Sequence, residues 1–338
     1  MLPNRLFYLL IVVALLVVTA CAPQATPTNT APPPTLTVPP TTFTPPPTAV
    51  PSTPSLISTA TLFEGRLLFT RFIEATHTFT GMYIARTDGS AETFVPQPLT
   101  EGGARWSMSG TEITALHLLS DGRIATAITA TVGTVLRIFS IPDATLNVAC
   151  GGWSRDDTRL SCEAWDETDP SRNGIYTIRA SDGADLQRLT TPPGNHHDCP
   201  GDFSPDGQFV FKRATGYEDP GSLMLVDANG GEPRILYDGP INDCGRFSPD
   251  GSLILTSSNG SLLVIDLDGQ VVHTISIDGH IAFGPVWSPD GTRIAFSMTT
   301  PGVYASDIYT SLLDGTDLQQ VTNTPDNEIN VDWGAGSE

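Results

Sequence analysis

The chain has 338 residues, and its 37 Asp and Glu outnumber 17 Lys and Arg for a formal charge of −20. Such acidity repels a phosphate backbone and excludes nucleic acid as a partner, and beyond the N-terminus no apolar run reaches the ~20 residues that a membrane helix needs. The 31 Gly and 29 Pro exceed a usual combined share of roughly 12 % and argue against a helical bundle.

The first 21 residues read as an export signal. Arg5 is followed by Leu6–Ala20, fifteen residues without a charge, and then by Val18-Thr19-Ala20-Cys21. A positive start, a short apolar segment and small residues before a cut describe a secretory leader. The Cys directly after the small residues resembles the lipobox of bacterial lipoproteins, with Val18 where that family prefers Leu. The resemblance implies a signal peptide over 1–20, a diacylglycerol on Cys21, and an extracytoplasmic, lipid-anchored protein. Residues 22–60 hold 12 Pro, 11 Thr and no charge. Such a stretch buries no core and samples extended polyproline conformations, so 21–61 is expected to be a disordered stalk and 62–338 the folded domain.

From residue 64 onward one unit recurs. Three copies are plain: Asp202-Phe203-Ser204-Pro205-Asp206-Gly207, Arg246-Phe247-Ser248-Pro249-Asp250-Gly251 and Val286-Trp287-Ser288-Pro289-Asp290-Gly291. Degenerate copies precede them at Trp106-Ser107-Met108-Ser109-Gly110 and Trp153-Ser154-Arg155-Asp156-Asp157, and a truncated copy, Val331-Asp332-Trp333-Gly334, ends the chain. The aromatic positions lie 47, 50, 44, 40 and 46 residues apart, the period of a four-stranded propeller blade. In Ser-Pro-Asp-Gly, Pro presets φ, Asp bonds back to the backbone and Gly takes the left-handed position, so this is the hairpin between a blade's first and second strands. A second series, Asp182-Gly183, Asn229-Gly230, Asp268-Gly269 and Asp314-Gly315, marks the hairpin between third and fourth strands. In the unit from 106 to 153, both Asp121-Gly122 and Pro142-Asp143 look like turns, and the strand count stays open.

The two ends complete each other. The last copy supplies one strand, 329–333, and the N-terminal region supplies three within 66–99 but no aromatic station. The expected fold is therefore all-β, a six-bladed β-propeller of four-stranded blades. Its ring is closed by the C-terminal strand joining the N-terminal strands, which removes exposed edges.

These repeats resemble the WD40-like units of TolB-type six-bladed propellers over residues 64–338. Ile175-Tyr176, Asp182-Gly183 and Leu189-Thr190 follow that family's signature in order, as do Ile308-Tyr309, Asp314-Gly315 and Val321-Thr322. TolB carries an α/β domain ahead of its propeller, where this chain has the Pro/Thr segment. Related propellers also cap prolyl-oligopeptidase-like enzymes, but no hydrolase domain is expected here.

Four cysteines remain. If Ser154 pairs with Thr158 across the turn, Cys150 and Cys162 stand opposite each other on one hairpin, within disulfide range. Cys199 and Cys244, at similar positions in successive blades, would then staple blade to blade. The alternative is four free thiols. No Gly-x-Ser-x-Gly, His-Glu-x-x-His, P-loop or dinucleotide glycine pattern occurs. The polar cluster of interest is Asn195-His196-His197-Asp198, just before an inner strand. Equivalent positions hold Asn242 and Asp243, His280, and Asp326 and Glu328. In a regular ring these loops converge on one mouth of the channel, where His and carboxylates suit a divalent metal or a cationic group. The metal-and-histidine site of propeller lyases acting on pectin fragments is loosely similar. Trp106, Trp153, Trp287 and Trp333 occupy one repeat position and read as core, leaving Trp165 as the candidate surface aromatic. The expected function is a monomeric binding scaffold for an envelope or extracellular protein, without a cofactor. The alternative is a metal-dependent glycan lyase or hydrolase, or a small-ligand sensor, at the channel mouth.

Overall fold

The structure is a computed structural model that describes residues 65–335 apart from 74–77, 97–102, 140, 142, 144 and 217–218. The expected signal peptide, Cys21 and the stalk lie outside the described residues. Twenty-four strands form six separate four-stranded antiparallel sheets. The first blade holds β1 (Arg66–Ile73), β2 (Thr78–Arg86) and β3 (Thr93–Val95), and the second β4 (Arg105–Trp106), β5 (Glu112–Leu118), β6 (Ile124–Ala130) and β7 (Val135–Phe139). The third holds β8 (Leu146–Trp153), β9 (Arg159–Asp166), β10 (Gly174–Arg179) and β11 (Gln187–Arg188), and the fourth β12 (His197–Phe203), β13 (Gln208–Ala214), β14 (Gly221–Asp227) and β15 (Arg234–Ile241). The fifth holds β16 (Arg246–Phe247), β17 (Leu253–Ser258), β18 (Ser261–Asp266) and β19 (Val271–Ile275), and the sixth β20 (Ile281–Trp287), β21 (Arg293–Thr299), β22 (Asp307–Leu312) and β23 (Gln319–Gln320). The last strand, β24 (Asn327–Gly334), is the inner strand of the first blade, in the order β24-β1-β2-β3.

The ring closes as the complementary ends require. β24 pairs antiparallel with β1, with Leu67 opposite Trp333 and Arg71 opposite Glu328. Each inner strand also touches the inner strands of both neighbouring blades, which makes a closed circle around one axis. In the second blade, Asp121-Gly122 turns between β5 and β6, and Gly133 turns between β6 and β7. Asp143 lies on the connection to the next blade, so this unit too has four strands.

The turn chemistry is uniform. Ser154, Ser204, Ser248 and Ser288 each donate Oγ–H to the Asp two residues on. The same Oγ accepts a backbone N–H from the returning strand, Leu253 N at 3.0 Å and Arg293 N at 2.9 Å being two cases. Asp157 replaces Gly at the left-handed position of the third blade, with φ of 58°. Its carboxylate accepts from Met108 N at 2.7 Å and Ser109 N at 2.9 Å, tying its turn to the neighbouring blade's turn.

The core is divided among the blade interfaces. Trp106, Trp153, Phe203, Phe247, Trp287 and Trp333 are all buried, and each fills a separate apolar cluster built from its own blade and the preceding one. Burying such a side chain contributes roughly 1.5–3 kcal/mol or more. Trp165 corrects the sequence expectation: it is not a surface aromatic but buried against Leu116 and Ile124 of the second blade. Blades are covered on both faces, so a second strand such as β9 buries residues of both alternation phases.

Both disulfides form. Cys150 is directly opposite Cys162 in the β8–β9 register and bonded to it. The route differs from simple pairing around the turn: Trp153 opposes Leu160, and a bulge at Gly151 restores the register before Cys150. Cys199 of β12 is bonded to Cys244, just ahead of β16, across a Cα–Cα distance of 5.7 Å. This bond links the fourth and fifth blades.

Candidate functional site

Side chains of a strand alternate between faces. On the inner strands, the repeat aromatic points into the interface between blades, and the residue before it lines the axis. Around the ring these six axial positions are Arg105, Gly152, Asp202, Arg246, Val286 and Asp332, and all six border one cavity of about 210 Å³. Arg105 Nη1 lies 3.4 Å from Asp332 Oδ1, and Asp332 Oδ2 accepts Trp106 N at 2.8 Å. Arg155 enters from the third blade's turn, at the position that Pro holds in the plain copies. Its Nη2 lies 3.1 Å from Asp202 Oδ2, and the same guanidinium donates to Phe203 O at 2.9 Å and Phe247 O at 3.3 Å. It thus spans three blades. Burial raises the pKa of both Asp202 and Asp332, against the opposing pull of Arg155 and Arg105 respectively. Indole N–H groups complete the ring: Trp287 Nε1 donates to Arg246 O at 3.0 Å and Trp153 Nε1 to Arg105 O at 3.4 Å.

At the other end of the inner strands the sequence-derived candidates do not form one constellation. Asp198 is buried and holds Arg213 through two bonds of 2.6 and 2.7 Å. His197 Nε2 lies 2.8 Å from Glu163 Oε1 on the neighbouring blade. His196 is exposed, its Nδ1 2.7 Å from Pro193 O. These three residues and Asn195 share a cleft of about 600 Å³ with Glu163 and Asp219. The remaining candidates stand elsewhere. Asn242 Oδ1 accepts from Asn259 N, and Asp243 Oδ2 accepts from Ser257 Oγ and from Gly284 N at 2.9 Å. His280 is exposed with Nδ1 2.8 Å from Asp278 O, and Asp326 N donates to Thr324 Oγ1 at 3.3 Å. Glu328 is fully buried, paired with Arg71, and accepts from Thr324 Oγ1 at 3.1 Å. Burial drives the Glu328 pKa upward, with the Thr322 and Arg71 bonds pulling the other way. Among the described residues no three His, Cys, Asp or Glu side chains are grouped to hold a metal ion.

Lys212, the one lysine of the chain, is buried behind this cleft and donates to Asn242 O at 2.9 Å. Burial lowers its pKa, with Asp243 and Asp219 opposing. The axial residues Arg105, Arg155, Asp202, Arg246 and Asp332 escaped the sequence reading. The signal that could have found them is positional: every one stands directly before, or two residues after, a repeat aromatic.

No family model matches the chain. Among curated proteins it is similar to the Tol-Pal system protein TolB of Anaeromyxobacter dehalogenans, 39 % identical over 116 residues, or 33 % of this chain and 26 % of that protein. It is also similar to the Tol-Pal system protein TolB of Methylococcus capsulatus, 32 % identical over 68 residues, or 20 % of this chain and 16 % of that one. The chain thus spans about a quarter or less of the length of these relatives. Among solved structures, TolB from Acinetobacter baumannii superposes with a TM-score of 0.61 at 21 % identity, covering 80 % of this chain and 66 % of that one. Hydrazine synthase of Kuenenia stuttgartiensis gives 0.60 at 13 % identity, covering 79 % and 46 %. The structural likenesses establish the propeller, which many unrelated activities share, and the curated relatives named above are TolB proteins. The folded domain is a TolB-like six-bladed β-propeller.

Proposed function

We propose that this chain is an extracytoplasmic scaffold, anchored to a bacterial membrane through lipid on Cys21 and held out on the stalk of residues 21–61, whose propeller binds a protein partner of the cell envelope. The observation that carries the reading is the sequence likeness to Tol-Pal system proteins. Charge supports it. All 37 acidic residues and all but one of the 17 basic ones, Arg5, lie from Glu64 onward, so the folded domain carries −21. Many of its arginines are tied into ion pairs, including Arg71, Arg123, Arg137, Arg159, Arg172 and Arg213. What faces solvent is therefore an acidic disc, suited to a partner with a basic face and to electrostatically steered association.

The test has two arms. Fractionation of cells is expected to place the protein with membranes and Cys21→Ala in the soluble fraction; an unchanged distribution defeats the anchor. Cross-linking in native membranes is expected to yield one stoichiometric envelope partner, whose capture weakens steeply as salt rises from 50 to 300 mM. Recovery of the propeller without a stoichiometric partner defeats the scaffold reading.

A further inference from the structure

The axial cavity has an uneven charge pattern. Around the ring, Arg105 neighbours Asp332 and Arg246 neighbours Asp202. Arg105 reaches its Asp. Asp202, however, is taken by Arg155 coming from the turn on its other side. The Arg246 side chain is left on the cavity wall and makes no hydrogen bond or ion pair with the described residues. Gly152 and Val286 contribute no long side chain at this level, which leaves the open space. Three guanidinium groups and two carboxylates border it, one positive charge in excess, in a chain that carries −20.

We propose that this cavity is a binding site for a small carboxylate, taken by the Arg246 guanidinium at the axis. The planar fork of Arg matches the two oxygens of a carboxylate. Arg105 and Arg155 are held by their own aspartates as neutral pairs, which leaves the surplus charge on Arg246. The charge of the ligand follows from the surplus: a monoanion neutralises it, whereas a phosphate near −2 would place net negative charge beside Asp202 and Asp332. Its size follows from the volume, about 210 Å³, below the roughly 300–1,000 Å³ of drug-sized pockets. Trp106 and Trp287 border the same cavity and suit a short apolar tail. The site is independent of any protein partner, so the scaffold reading and this one stand or fall separately.

Tryptophan emission reports on it in the full-length protein, because Trp106, Trp153, Trp287 and Trp333 border the cavity. Titration with sodium propionate at constant ionic strength is expected to give a saturable change, absent with sodium chloride and with propionamide. Arg246→Gln is expected to weaken propionate at least tenfold, and Arg246→Lys, which keeps the charge but not the fork, by less. A linear response, equal binding of propionamide, or Arg246→Gln binding like the parent overturns the site. Should Arg246→Gln not fold, the contrast between propionate and propionamide on the parent protein decides alone. A tripeptide with a free carboxyl end, run beside its amide, identifies the source. If it binds tenfold more tightly than propionate and is lost on amidation, the carboxylate is a chain end; otherwise it is a free acid.

Discussion

The two ends of the inner strands are built on opposite plans. Where the strands begin, polar side chains are paired within a blade or across one seam: Asp198 with Arg213, Glu328 with Arg71, His197 with Glu163. Where they end, Arg155 alone reaches into two further blades, and Arg105 and Asp332 bridge the second and first blades. The first arrangement locks each blade to itself and to a neighbour. The second gathers six blades at the axis and leaves one guanidinium over. Polar residues that satisfy one another belong to stability, and an imbalance among them is where a ligand finds a place.

The largest expected effect tests the locking end. Arg71→Ala leaves Glu328 buried without its cation and is expected to cost about 3–5 kcal/mol in urea unfolding. A loss near zero would mean that this end carries no structural load. Next, replacing Cys199 and Cys244 together by Ser removes a cross-link spanning 45 residues and is expected to lower stability by about 3 kcal/mol. Urea midpoints measured beside the Cys150/Cys162 pair, which spans 12 residues, should show the smaller loss there. Arg155→Ala, at the axial end, is expected to cost about 2 kcal/mol, since its guanidinium is partly solvated and Asp202 can respond by taking a proton. If it costs as much as Arg71→Ala, the axial end is a structural lock too and the contrast fails. The smallest effect is one of pH. The folded-state pKa of Asp202 is raised by burial despite Arg155, so its ionised form destabilises the fold at pH 7. That penalty fades as pH falls through the folded value toward the unfolded one, about 3.9. Asp202→Asn should therefore gain on the parent protein at pH 7 and lose that advantage by pH 4, read from thermal unfolding at both values. An advantage that grows on acidification reverses the assignment.

Much of the fold was legible because each blade repeats the same physical solution. The aromatic position is shared since every interface between blades needs a large apolar filler, and the six aromatic positions therefore counted six interfaces. The closure was legible from what each end lacks. Opposed cysteines followed from strand register, although the bulge at Gly151 that secures it left no mark in the sequence. Trp165 was misplaced because its burial depends on Leu116 and Ile124 of another blade, which the repeat does not encode. The site was the least legible part. His196, His197 and Asp198 drew notice as residue types, yet the axis is lined by whatever precedes each aromatic, and that position holds Arg, Gly, Asp, Arg, Val and Asp around the ring. Arg155 and Asp157 depart from the Ser-Pro-Asp-Gly pattern, and both departures make contacts beyond their own turn. Repeats display what blades share, while a single binding site on the axis is made of what they do not.

The seam between β24 and β1 also sets the order of events in folding. Thr70 Oγ1 donates to Ile329 O across 259 positions of chain, so the ring cannot shut until nearly the whole domain has been synthesised. Pairings this distant are slow to form, because the intervening chain must first be confined. Meanwhile β1 waits as an open edge with Leu67 and Phe69 uncovered, a template for pairing with another copy. The eight residues of β24 thus act as a latch that arrives last. Interruption of synthesis before residue 327 should yield a chain with five complete sheets and a strong tendency to aggregate.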